Sequence, residues 1–241
     1  MLNFMAGRSE DDERTWDIPL DPIPDFTKFC KSGSDSLKGI TIGVPRNTWD
    51  GTSPAPIEES FDAALKMLSS AGAKIVDPAD FPDVEGFKKL NNEVKGVVRS
   101  SEFKRDIVSY IQTLDSNPNN IHTVEDLIEF TKTDPREEFP DRDVGKFQWT
   151  QAEGVDVESE KYKKMVEQEK YFGGPGGILG AMERYDLDVI AFPLDQDVSN
   201  DLAAKMGFPA ISVPLGFWPE DTPLQLTKTK PELVKVAPGI P

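Results

Sequence analysis

Two short β-rich runs enclose one amphipathic helix between residues 40 and 76, and this arrangement restricts the fold more than any other feature of the chain. Ile40-Thr-Ile-Gly-Val44 is rich in β-branched residues and is stopped by Pro45, as expected of a strand. Pro56 suits a first helical turn, where a missing N–H leaves no partner unsatisfied. From Ile57 onward, Ile57, Phe61, Ala64, Leu65, Leu68 and Ala71 recur at helical spacing and form one face. Gly72 is placed to end the helix in a left-handed conformation, and Ala73-Lys-Ile-Val76 follows as a second strand. A helical crossover of this length predicts parallel neighbours joined with right-handed sense.

The remaining chain reads as further α/β material. Residues 1–39 form an extended N-terminal segment, with 9–38 rich in Asp, Pro and Ser. Residues 87–171 form a mainly helical insertion. Within it, 87–114 are helical by period, Asp115–Asn120 break the pattern, and Thr123 is an N-cap for a helix over Val124–Phe130, with Asp126 as its capping-box partner. Residues 131–156 are expected to be the least ordered, and Glu158–Tyr171 is a charged helix. Gly173-Gly-Pro-Gly-Gly177 introduces a helix over Ile178–Tyr185, then a strand over Asp188–Phe192. A helix over Asn200–Met206 and a strand over Ala210–Val213 complete a second expected βαβ unit. Leu233–Val236 is a last candidate strand. The fold class is α/β, a single domain built on a mixed, mainly parallel sheet between helices.

Composition removes several functions. With 43 acidic against 27 basic residues the formal charge is −16, a field that repels phosphate backbones, so nucleic acid is not an expected partner; nor is a membrane, for want of a long apolar run. The acid excess reads as a solvated surface. Cys30 is the single cysteine, which precludes an intrachain disulfide. His122 is the single histidine and stands before an expected helix start, so Ser-His-Asp and Cys-His arrangements are not expected and a His-rich metal site is precluded. The N-terminus turns acidic at once, unlike a signal peptide, and no apolar run reaches membrane-spanning length; the simplest location is cytoplasmic. The first and last residues both read as cuts through a longer polypeptide.

Other motifs lack the partners their chemistry needs. The Gly173–Gly177 cluster ends in Ile-Leu without the Lys of a phosphate loop. Asp195, Asp197, Ser199 and Asp201 alternate like half a calcium loop, but Asn200 stands where Gly is needed and Met206 where Glu is needed. Ser32–Ser36 has no activating base nearby. Cys30 reads as a packed residue, His122 as part of a helix start, and the four tryptophans as loop anchors. No cofactor and no metal site is expected.

Several segments resemble one family. Leu2-Asn-Phe-Met-Ala-Gly-Arg8, Leu37–Pro45, Ala71–Val76, Asp188–Pro193 and Gly207–Gly216 are similar to the later part of amidase signature enzymes; Ala6–Asp12 and Pro219–Pro223 are most similar to the fungal branch. The resemblance covers essentially the whole chain and is vaguest over 87–156. It implies a hydrolase of carboxamide C–N bonds, whose chemistry uses a Lys, a serine in a cis peptide and a nucleophilic serine. Neither Gly-Gly-Ser nor Gly-Ser-Ser occurs here, and Gly43-Val44-Pro45 runs into Arg46 with no Lys, so no catalytic residue carries over. The resemblance therefore implies an incomplete amidase-like fold, inactive alone, that forms an outer cleft wall. Pro193, Asp195, Gly207, Pro209 and Ser212 are its substrate-side candidates, expected on one rim, while Gly207 and Pro209 serve equally well as turn-shaping residues. The expected ligand is a small-molecule amide, and the expected protein contacts are self-association or pairing with a full-length relative. A noncatalytic α/β binding or regulatory module is the alternative.

Overall fold

The structure, a computed structural model, describes residues 2–19, 22–30, 33–90, 92–228 and 232–239. Ser32 of the serine run, residue 91 in the long helical stretch, and the terminal Met1, Ile240 and Pro241 lie outside the described residues.

In chain order the elements are α1 (Leu2–Met5), β1 (Thr41–Gly43), α2 (Ala55–Ser70), β2 (Lys74–Val76), α3 (Val84–Lys89), α4 (Asn92–Gln112), α5 (Val124–Thr133), α6 (Gly145–Glu153), α7 (Glu160–Gly173), α8 (Ile178–Tyr185), β3 (Val189–Ile190), α9 (Asp197–Met206), β4 (Gln225–Leu226) and β5 (Val234–Val236). The main sheet has the order β2-β1-β3 and is parallel throughout. β1 lies at its centre: Ile42 is opposite Ile75 on one side and Val189 on the other. The expected β1–α2–β2 unit is therefore present. Pairing runs past the strand ends, with Val44 N donating to Val76 O and Ala191 N to Gly43 O, each at 2.9 Å. The Asp188 carboxylate also accepts from Thr41 N at 2.8 Å and tethers the entry of β3 to that of β1.

Alternation along β1 assigns its two faces. Val44 packs with Phe61 and Leu65 of α2, joined by Trp49, Leu68, Ile75 and Ala191. Phe61, Leu65 and Leu68 belong to the predicted apolar face, and burying each large side chain contributes about 1.5–3 kcal/mol. Gly43 has the opposite parity and lies against Leu187 and Ala79. A second core gathers Phe81, Val84, Phe87, Phe172, Ile178, Ala181, Leu202 and Ala203, so it draws on α3, α7, α8 and α9.

Several boundaries differ from the sequence expectations. The 87–114 stretch is divided between α3 and α4, with Leu90 in an extended conformation after α3 (φ −65°, ψ 135°). The 131–156 stretch contains a 3-10 turn at Pro135–Glu137 and the helix α6. Trp149 on α6 reaches the bare backbone at Gly96 of α4, a tertiary contact invisible to local periodicity. Thr123 and Asp126 form the expected reciprocal capping box. α9 begins at Asp197, ahead of the expected Asn200.

The second βαβ unit is not completed. Ala210–Val213 belongs to no strand, and Ile211 and Val213 are exposed. Strand propensity cannot substitute for a neighbouring backbone that takes up the N–H and C=O groups. The last candidate strand does form: β5 pairs antiparallel with β4, which makes the overall strand content mixed and mainly parallel.

A methyl group at Gly43 would overlap Leu187 and stand 2.9 Å from the Ala79 side chain, which has no rotamer to move. Gly43→Ala is therefore expected to lower stability by about 1–3 kcal/mol, read as an earlier urea midpoint with an unchanged slope.

Candidate functional site

In open α/β sheets, ligands gather beyond the carboxyl ends of the strands. Here the exits of β1, β2 and β3 are joined by a polar knot. β1 runs through Pro45 into a single 3-10 turn, Arg46–Thr48, whose three side chains reach in different directions. Arg46 donates to both carboxylate oxygens of Asp77 after β2, Nε at 2.8 Å and an Nη at 2.6 Å, and to Asp62 of α2 at 2.9 Å. These carboxylates, Asp77 foremost, raise the guanidinium pKa further above its ordinary value. The Arg46 guanidinium also lies 4.2 Å from the centroid of the Trp49 ring, which meets Phe61 edge-on.

Asn47 behaves like a strand residue turned sideways. Its side-chain amide donates to Phe81 O at 2.9 Å and accepts from Phe81 N at 3.1 Å, while its own N–H reaches Asp80. Lys88 of α3 donates to Asn47 O at 2.7 Å. Thr48 is buried; its hydroxyl donates to Pro45 O at 2.7 Å and accepts from Ser199 of α9 at 2.9 Å.

The exit of β3 meets this turn. Pro193 is buried, and its carbonyl accepts from Gln196 N at 3.0 Å. Asp195 accepts from Ser53 Oγ at 2.6 Å and from the Gln196 amide at 3.2 Å, while Gln196 Oε1 accepts from Asp50 N. Asp195 thus clamps the Asp50–Ser53 loop to the start of α9 without capping that helix, whose N-cap residue Gln196 makes no capping bond. Gly207, Pro209 and Ser212 lie at the other end of α9. Its 10 residues span about 15 Å, so Gly207 at its C-cap stands apart from Pro193 and Asp195, and Pro209 and Ser212 follow it in the chain. Gly207 takes a left-handed φ of +67° as the helix C-cap, and Pro209 and Ser212 are exposed.

The far half of α9 is pinned by charge. Lys205 donates to Glu169 of α7 at 2.6 Å and to Lys95 O of α4. Burial pushes the Glu169 carboxyl above its ordinary pKa, and the Lys205 ammonium offsets this only in part.

No protein-family model matches the sequence. A putative amidase of Arthroderma benhamiae is 34% identical over 242 residues, an alignment that takes in 100% of this chain and 39% of that protein. A probable amidase of Arabidopsis thaliana is 26% identical over 91% of this chain and 43% of its own length. The fold agrees: native peptide amidase from Stenotrophomonas maltophilia superimposes with a TM-score of 0.66 over 88% of this chain and 43% of that one, at 24% identity. By sequence and fold this chain is an amidase relative. It spans about two fifths of the length of the amidases it matches.

Within this amidase relative the polar groups at the strand exits largely satisfy one another. Among the described residues, Trp49 Nε1 is the buried side-chain nitrogen or oxygen without a hydrogen-bond partner. Ser199 meets a threonine hydroxyl, and among the described residues no serine hydroxyl is hydrogen-bonded to a lysine or histidine side chain. The half-calcium pattern does not converge: Asp195 turns to Ser53, Ser199 to Thr48, and Asp201 lies 3.9 Å from Lys205. Among the described residues no group of three or more His, Cys, Asp or Glu is arranged to hold a metal ion, and no helix is long and apolar enough to cross a membrane. The glycine cluster turns α7 into α8, with Gly176 N bonded to Tyr171 O and Gly177 N to Gly174 O. His122 lies at the α5 start, its N–H on Asp126, and Cys30 is exposed. A cavity of about 320 Å3 lies in the helical insertion, lined by Ser101, Lys104, Arg105 and Gly154–Val157, and includes none of the five candidate residues.

The polar knot was not legible as a site. Arg46, Asn47 and Thr48 follow a strand-ending proline, and that position is the one signal the sequence carried.

Two outcomes test this description. Thr48→Val leaves the Ser199 hydroxyl buried without its acceptor and is expected to cost about 1–3 kcal/mol. Adding Ser199→Ala removes that orphan, so the double variant should be less destabilised than the sum of the singles in a denaturant double-mutant cycle.

Lys205→Met strips Glu169 of its cation and is expected to cost about 3 kcal/mol. A carboxyl with a raised folded pKa binds more protons folded than unfolded, so stability falls as pH rises through that window. Losing Lys205 raises it further; the loss should therefore be larger at pH 7 than at pH 5, and Glu169→Gln should flatten it.

Proposed function

We propose that this chain is a non-catalytic portion of a carboxamide hydrolase, forming an outer wall of the substrate cleft and unable to cleave a C–N bond by itself. The observation that carries the reading is the 34% identity to a putative amidase along 100% of the chain, in a sequence that contains no Gly-Ser-Ser or Gly-Gly-Ser. Amide hydrolysis through an acyl-enzyme needs a nucleophile, a base to take its proton and donors for the oxyanion. Ser199, the buried serine nearest the strand exits, is held by Thr48 and has no base against it. Pro193 and Asp195 face the sheet's carboxyl edge and are the wall residues best placed to border a small amide; Gly207, Pro209 and Ser212 extend the wall beyond α9.

A noncatalytic binding module is favoured by one observation: the polar groups of the Arg46–Thr48 turn are bonded within the chain, which suits a self-supporting body.

The purified chain is expected to release no ammonia above a buffer blank from a panel of primary carboxamides, and to take up no serine-directed phosphonate. Turnover that survives removal of host amidases would overturn the reading. Binding of a hydrophobic dye, or self-association, is expected for the incomplete fold; a sharp, monomeric, dye-silent unfolding transition favours the self-supporting module.

A further inference from the structure

The segment after α9 has the residue pattern of a strand and none of its pairing. Ile211, Val213, Leu215 and Phe217 occupy alternate positions, and no charged residue stands between Lys205 and Glu220 in a chain that is 29% charged. These four side chains are 87%, 72%, 37% and 72% exposed. Among the described residues, no backbone N–H or C=O from Pro209 to Phe217 makes a hydrogen bond within the chain. The flanks are nonetheless anchored: Phe208 N donates to Ala203 O at 3.0 Å, and Trp218 O accepts from Gly239 N at 3.1 Å. A tethered, charge-free run with period-two apolar side chains has the pattern of a strand lacking its neighbour. Pro209 and Pro214 have no N–H and confine any ladder to Ala210–Val213, leaving Leu215 and Phe217 as apolar cover.

We propose that Ala210–Val213 is the seam where this chain adds a strand to the complementary portion of an amidase fold. The inference rests on the amidase-portion reading and names its partner. Two observations select the occupant. The chain accounts for 39% of the fungal relative and 43% of the peptide amidase, so amidase folds of this kind include a larger body beyond the matched region. When the complementary portion is present, a second copy of this chain is the weaker competitor for this seam, because each copy carries a net charge of −16 and two such bodies repel. Strand addition draws affinity from main-chain hydrogen bonds and specificity from alternate side chains, which is what this segment presents.

The test supplies the unmatched portion of the Arthroderma benhamiae relative as a separate polypeptide, co-expressed with this chain. A one-to-one complex is expected, with hydrogen exchange at Ile211, Ser212 and Val213 slowed by at least about 100-fold. Ile211→Asp combined with Val213→Asp should weaken the complex by at least about 100-fold, while Ile211→Val should not. Because these side chains meet solvent in the chain alone, the aspartate variant should keep its own urea midpoint. Reading the same amides in a direct fusion ahead of Met1 covers insolubility of the separate fungal portion. A protected seam without amide hydrolysis would support the seam and defeat the amidase reading. Hydrolysis with unprotected amides and an indifferent aspartate variant would overturn the seam and leave the amidase reading standing. Self-association that protects these amides and resists the complementary portion would overturn the choice of partner, as would the absence of any complex.

Discussion

The structure depends on a three-residue strand hydrogen-bonded on both sides. Thr41–Gly43 is the one strand that touches both neighbours of the main sheet, and it carries α2 on one face and the Leu187–Ala79 contact on the other. So short a strand cannot hold three layers in register through its ladder alone. The turn that follows reinforces it: Arg46 bridges to the exit of β2 and to α2, Asn47 pairs with Phe81, and Thr48 reaches α9. Each partner lies far along the chain, so these bonds convert one βαβ unit into a body with α9 attached. Charge-assisted and bidentate contacts are the stronger kind of polar bond, and the Arg46–Asp77 pair is of that kind.

The helical layer is held by other means. α4, α6 and α7 meet through close backbone approach at Gly96, stacking of Phe103 on Phe147 at 6.0 Å, and a half-buried Tyr162 hydroxyl on Glu102. Burial, then the Glu102 carboxylate, pushes the Tyr162 hydroxyl up to about 12, so it remains a donor throughout the physiological range. The Lys205–Glu169 pair ties this layer to α9. α9 is therefore clamped at its start by hydroxyls and amides and near its end by charge, whereas among the described residues the backbone of 209–217 makes no hydrogen bond within the chain. That contrast, a firmly seated helix leading into an exposed apolar run, underlies the proposed seam.

Wherever a feature depends on residues within a turn or two of each other, it was legible beforehand. The face of α2, the Thr123–Asp126 capping box, the extent of α8 and the parallel sense of β1 and β2 all follow from local spacing and from the length of the crossover. The helix α6 was missed because its seating depends on Trp149 finding Gly96. Of the five candidate site residues, the structure brings Pro193 and Asp195 together beside the Arg46–Thr48 turn and sets Gly207, Pro209 and Ser212 beyond α9.

By itself the sequence determined the α/β class, the likeness to amidases, and the lack of the lysine and serine motifs that the chemistry requires. These are matters of residue identity and short-range period. Tertiary structure alone decided that β3 lies beside β1, that Asp195 clamps a loop, and that Ala210–Val213 forms no strand. A strand exists only when another backbone accepts its hydrogen bonds, and no property of four residues reveals whether that backbone is present.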